Sequence, residues 1–83
     1  MNSVDEILRE IAIDARRRYE LGEVFGAYLC LRYGYIDLRD NLPEELVDFR
    51  DILWDLESLN LSNNEILWLI EELEKYIGEK DED

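Results

Sequence analysis

Residues 3–22, SVDEILREIAIDARRRYELG, carry both ends of a helix and the stripe between them. Ser3 followed three residues later by Glu6 is a capping box, the serine oxygen accepting from an early backbone amide while the glutamate reaches back. Val4, Ile7, Leu8, Ile11, Ala15 and Tyr19 then recur at three- and four-residue steps, the spacing of one buried face. Gly22 supplies the left-handed residue that ends such a helix. The spacing predicts a helix over 4–21.

Outward from that segment the same signals return. Residues 24–38, VFGAYLCLRYGYIDL, are apolar nearly all round, which predicts a second helix over 23–38 at the centre of the fold or at a subunit contact. Gly26 reads as the point where another backbone approaches, and Gly34 as a weakening of the last turn. Asp40-Asn41-Leu42-Pro43 is a connection. Pro43 is preset for a first helical position, and Glu44 and Glu45 suit the N-terminal dipole of a third helix over 43–58. A second capping box, Ser62-Asn63-Asn64-Glu65, opens a fourth helix over 63–77. Its buried stripe is Ile66, Leu69, Ile70, Leu73 and Ile77, and Gly78 is its stop. No alternating strand pattern, repeat or low-complexity linker interrupts this order. The expectation is an all-α, compact bundle of about four short helices, a single domain over 1–78 with a frayed acidic tail at 79–83.

Composition narrows the work such a bundle can do. With 47% hydrophobic residues, one proline and four glycines among 83 residues, the chain has enough apolar surface to fold despite 37% charge. The longest apolar run, VFGAYLCL at 24–31, is far shorter than the ~18 residues of a membrane span. The start, MNSVDEILRE, is acidic and amphipathic and resembles no signal peptide, so a cytoplasmic protein is expected. One cysteine, Cys30, reads as a small buried hydrophobe. Without histidine, and without EF-hand, HExxH or phosphate-loop patterns, neither catalysis nor a metal or other cofactor is expected.

The formal charge of −13 is concentrated in one half. Residues 1–39 carry seven acids and six bases, whereas residues 40–83 carry fifteen acids and three bases. A field of that sign repels nucleic acid and anionic membranes and favours encounters with basic proteins. Within EELVDFRDILWDLE, residues 44–57, an ideal helix of ~100° per residue places Glu44, Asp48, Asp51 and Asp55 in one arc. Their expected recurrence of ~5 to 6 Å, from a rise of ~1.5 Å per residue, is near the phosphate spacing of a nucleic-acid strand. Trp54 sits at the edge of the opposite, apolar arc. Trp68, among Glu65, Glu71, Glu72 and Lys75, faces away from the fourth helix's stripe. Tryptophan beside carboxylates suits an interface anchor. The expected partner-binding set is therefore Glu44, Asp48, Asp51, Asp55, Trp54, Trp68, Glu71 and Glu72. Arg16, Arg17 and Arg18 form the one basic cluster, expected to moderate self-repulsion or to face an acidic surface.

Residues 42–77, LPEELVDFRDILWDLESLNLSNNEILWLIEELEKYI, resemble the C-terminal half of small acidic bacteriocin immunity proteins of the colicin type. In that family an acidic helix, an aromatic pair and a short final helix follow an irregular stretch. The resemblance implies binding to a nuclease toxin, with Glu44, Asp48, Asp51, Asp55 and Trp54 in its basic nucleic-acid site. ARRRYELGEVFGAYL is similar to helical hairpins of the tetratricopeptide kind. The expected function is that of an acidic inhibitor occupying the basic channel of a nucleic-acid-handling enzyme, as immunity, anti-restriction and anti-CRISPR proteins do. The competing expectation is a helical adaptor or homodimer joined through the apolar second helix, with acids serving solubility.

Overall fold

The computed structural model describes residues 3–81, which form four α-helices joined by short 3₁₀ turns. They are α1 (Val4–Glu20), α2 (Val24–Leu38), α3 (Val47–Trp54) and α4 (Asn63–Asp81). The all-α expectation holds. Both serine caps form: Ser3 Oγ accepts from the Glu6 amide at 3.2 Å, and Ser62 and Glu65 exchange two bonds of 3.2 Å, the complete reciprocal box. α1 ends at Gly22, whose φ of +85° lets Glu23 N donate to Arg18 O at 2.8 Å and Gly22 N to Tyr19 O at 3.0 Å. That pair of bonds turns the chain within three residues and lays α2 back along α1.

α2 is the central element. Ala27, Tyr28, Leu31, Tyr35 and Leu38 are buried on it, and α1, α3 and α4 all pack against it. Most of its apolar surface is thus consumed within one chain, leaving Phe25 and Tyr33 exposed. The close approach to α1 falls at Gly34, not at Gly26. A Cβ built on Gly34 would lie 2.6 Å from Ile11 Cδ1, whereas one on Gly26 would meet only the Arg18 side chain at 3.5 Å. Leu8, Ile11, Ala12 and Ala15 of α1 and Leu69, Ile70 and Leu73 of α4 complete the core. Arg16 ties α1 to α4 through a two-pronged pair with Glu74, its Nε 3.0 Å from Oε2.

Two expected boundaries are corrected. α4 passes through Gly78 and continues to Asp81, because a single glycine with open space around it lowers helix propensity by only ~1 kcal/mol. Residues 79–81 are therefore helical, while 82 and 83 of the expected tail lie outside the described residues. The third helix is the larger departure. The stretch expected as one helix over 43–58 is a 3₁₀ turn (Glu44–Leu46), the short α3, and a second 3₁₀ segment (Leu56–Asn60). Asp55, with ψ 138°, breaks the helix, and its carboxylate caps the next turn by accepting from Glu57 N at 3.1 Å.

The break is held from α2. Leu53 O, at the end of α3, accepts from Ser58 Oγ at 3.0 Å and from Arg32 Nη1 at 3.0 Å, with Tyr28 Oη at 3.4 Å. Tyr28 Oη and Ser58 Oγ also share a hydrogen bond, and Arg32 Nη1 donates to Tyr28 Oη at 2.8 Å. Three side chains thus satisfy a helix-end carbonyl that would otherwise lack an intrahelical donor. Arg32 adds a cation at the negative end of the α3 dipole.

Candidate functional site: an acidic seam between α3 and α4

The break at Asp55 redistributes the expected acidic ladder. Asp48 and Asp51 remain on α3, Glu44 precedes it in a 3₁₀ turn, and Asp55 has become a cap. All four are exposed, but Asp51 is paired with Arg50, whose Nη2 lies 3.2 Å from its Oδ1. The expected continuous arc of four carboxylates on one helix is therefore not formed. A helix repeat cannot be carried across a residue in the extended region.

A different acidic surface takes its place, its carboxylates supplied by α4 and by the turns on either side of α3. Phe49 of α3 and Trp68 of α4 meet edge to face across the seam, with ring centroids 5.4 Å apart. On one side a recess of about 130 Å³ is walled by Glu45, Phe49, Glu72, Tyr76 and Glu79, with Lys75 as its one base. A second recess of about 310 Å³ is walled by Ile52, Asp55, Glu57, Leu61 and Glu65. Six carboxylates and one ammonium group thus line two hollows, and the first is joined to the aromatic pair through Phe49. Trp68 remains 43% exposed although its edge rests on Phe49. Burial first, then the carboxylates of Asp5 and Glu45, pushes the Tyr76 phenol above its ordinary value.

The expected site residues divide between surfaces. Asp55, Trp68 and Glu72 belong to the seam. Glu71 lies on the α1 side of α4, within electrostatic reach of Arg16. Trp54, 60% exposed, lies in a separate cleft with Asp51, Arg50, Arg39 and Ile36, and the guanidinium of Arg32 sits over its ring at 5.1 Å. Glu44 and Asp48 line neither recess nor that cleft. Trp54 and Trp68 therefore sit in surroundings of opposite charge, and they do not form one anchor.

Glu45, Phe49, Glu57, Glu65 and Glu79 lie outside the partner-binding set expected from a ladder on one helix. Their signal was present: Glu65, Trp68, Glu72, Lys75 and Glu79 recur at steps of three, four, three and four, as Glu45, Phe49 and Ile52 do at four and three. What sequence spacing lacks is the pairing of those two stripes across a seam.

Among the described residues, no cluster of three or more cysteine, aspartate or glutamate side chains is arranged to hold a metal ion, and no helix is long and apolar enough to cross a membrane. Comparison with protein-family models, with curated proteins and with solved structures finds no match to this chain.

Proposed function

We propose that this protein is a non-enzymatic binder whose α3–α4 seam docks on a basic protein surface, and that the partner is a nucleic-acid-handling enzyme whose channel the seam obstructs. The observation that carries the reading is the carboxylate-lined recess that shares Phe49 with the Phe49–Trp68 contact, together with a second such recess at the turn between α3 and α4. Acids spaced along a groove steer a basic partner and set register, while a half-exposed tryptophan provides apolar area that a docked surface can cover. The formal charge of −13 extends the steering beyond the contact itself. Phosphate imitation by a straight ladder on α3 has no support from the broken helix, so the seam's acids replace it as the mimicking set. Immunity, anti-restriction and anti-CRISPR inhibitors share this physical class.

The test is retention from a panel of nucleases on the immobilised chain. The wild type is expected to retain at least one member and to release it in about 1 M salt, where screening shortens to ~3 Å. Glu45→Lys/Glu57→Lys/Glu72→Lys is expected to retain none. Equal retention by the reversed variant sinks the seam reading.

A second reading rests on a specific feature, the outward Leu56 and Leu59, 77% and 58% exposed in the turn after the break. Exposed leucines in a 3₁₀ segment suit a contact with a second copy. Sedimentation across concentrations separates it: Leu56→Ser/Leu59→Ser abolishes a dimer formed there and leaves the nuclease retention intact.

A further inference from the structure

The cleft around Trp54 gathers arginines about an exposed indole. It measures about 320 Å³ and is lined by Ile36, Arg39, Arg50, Asp51 and Trp54. The chain carries nine lysines and arginines in all, and three of them, Arg32, Arg39 and Arg50, stand around this one indole. Elsewhere arginines are neutralised by carboxylates: Arg16 by Glu74, and Arg17 and Arg18 by Asp14. Here the balance differs. Arg32 spends its described hydrogen bonds on neutral oxygens, Leu53 O, Tyr28 Oη and Ser58 Oγ. Among the described residues no carboxylate pairs with Arg39, which is exposed. Asp51, the one carboxylate lining the cleft, is engaged by Arg50.

Arg39 is also held in a backbone conformation that arginine avoids. With φ 50° and ψ −125°, it is the one non-glycine residue of positive φ among those described. Glycine would take that conformation without strain. A strained cation, without a charge partner, at the rim of a cleft with an apolar floor and an indole wall is a candidate ligand contact.

We infer that this cleft binds a flat aromatic ring bearing a carboxylate or phosphate. The ring lies against the Trp54 indole over Ile36, and the anionic group is taken by Arg39 with Arg50 beside it. Arg32, bonded to the end of α3, lies over the Trp54 ring and adds to the local positive potential. The volume falls at the lower end of the ~300 to 1,000 Å³ range of small-molecule sites, which matches a ligand of one or two fused rings. The site is independent of the seam proposed above and of the partner that surface would take.

The test uses the full chain and the indole N–H signals of its two tryptophans in ¹H–¹⁵N spectra, with Trp68 as internal control. The probes are 2-naphthoate, 2-naphthyl phosphate, neutral 2-naphthamide and inorganic phosphate. Either aromatic anion is expected to move the Trp54 signal saturably and leave that of Trp68 in place. The amide is expected to bind at least tenfold more weakly and inorganic phosphate not to move Trp54. The tighter of the two aromatic anions identifies the headgroup. Arg39→Gly is the decisive variant, because it relieves the positive φ and should raise the melting temperature while weakening the anion about tenfold. Equal affinity for naphthoate and naphthamide, a response at Trp68 instead, binding of neither anion, or undiminished binding by Arg39→Gly would overturn the proposal.

Discussion

At the scale of single residues, Gly34 and Ser58 set more of the fold than their size suggests. Alanine at 34 would improve helix propensity by up to ~1 kcal/mol. Its Cβ would nevertheless press on Ile11 at 2.6 Å from Cδ1 and 2.9 Å from Cγ1, in a core where overpacking costs ~1 to 3 kcal/mol. Gly34→Ala is expected to be a net destabilisation in chemical denaturation, and adding Ile11→Val, which removes Cδ1, should recover part of it. A second substitution that simply adds its loss to the first would show that the two side chains do not meet. Ser58, the buried polar side chain of the turn, is a different case. Ser58→Ala removes a donor from Leu53 O and a partner from Tyr28, so about 1 to 3 kcal/mol of stability should be lost.

Cys30 gives a prediction with a defined pH window. Burial first, then its hydrogen bond to Asp14 at 3.3 Å, pushes the thiol up to about 11. At pH 8 only about one thiol in a thousand is then ionised, so disulfide reagents should react far more slowly with the native chain than with the unfolded one. The native value lies above the ordinary ~8.5 of an unfolded cysteine. The stabilising contribution is therefore complete below that pH and disappears as pH rises through about 11. Cys30→Ala should flatten the loss of stability between pH 8 and 11; an unchanged slope would assign the alkaline loss elsewhere, with Tyr35, also raised by burial, the first alternative.

At the scale of elements, local capping chemistry was the most legible part of the sequence. Ser3, Gly22 and the Ser62–Glu65 box each satisfy helix-end groups within a few residues, so their signals needed no knowledge of tertiary packing. The stop assigned to Gly78 and the unbroken third helix failed for the opposite reason. A helix can pass one glycine when nothing else ends it. A good periodic pattern can be interrupted when side chains from elsewhere offer the backbone other partners. Asp55 and Ser58 were visible as cap-forming residues, but Tyr28 and Arg32, which complete the break, lie more than twenty residues earlier. Asp55→Ala tests the local half of that account. It removes the acceptor for Glu57 N and is expected to cost ~0.5 to 2 kcal/mol, with no lengthening of α3, because the Leu53 O contacts from α2 survive. Increased helicity in the variant would mean that Asp55 alone imposes the break.

For the whole molecule, charge was legible as a total and not as a surface. The excess of acids from residue 40 onward follows from counting, whereas their assembly into a seam depends on α3 and α4 both packing on α2 and on Phe49 meeting Trp68. The same packing sends Trp54 to a cationic cleft, separating two residues that composition alone would group. Long-range steering by the net charge and short-range docking at the seam make different demands on salt. The first weakens over a Debye length of ~8 Å at physiological ionic strength, while the second persists where the groups are covered. Reversing acids remote from the seam, Glu10 and Glu20 of α1, should therefore slow association modestly. Reversing Glu45 and Glu72 should both slow association and speed dissociation.

Docking at the seam is measured most directly by the fluorescence of Trp68, made the only tryptophan by Trp54→Phe, during titration with a nuclease retained by the chain at several salt concentrations. A seam that docks on a basic partner gives a saturable change in Trp68 emission at low salt, an affinity that falls steadily as salt rises, and loss of the change in the Glu45→Lys/Glu72→Lys variant. Tight binding that leaves Trp68 emission untouched, or that is indifferent to salt and to both reversals, would contradict docking at the seam.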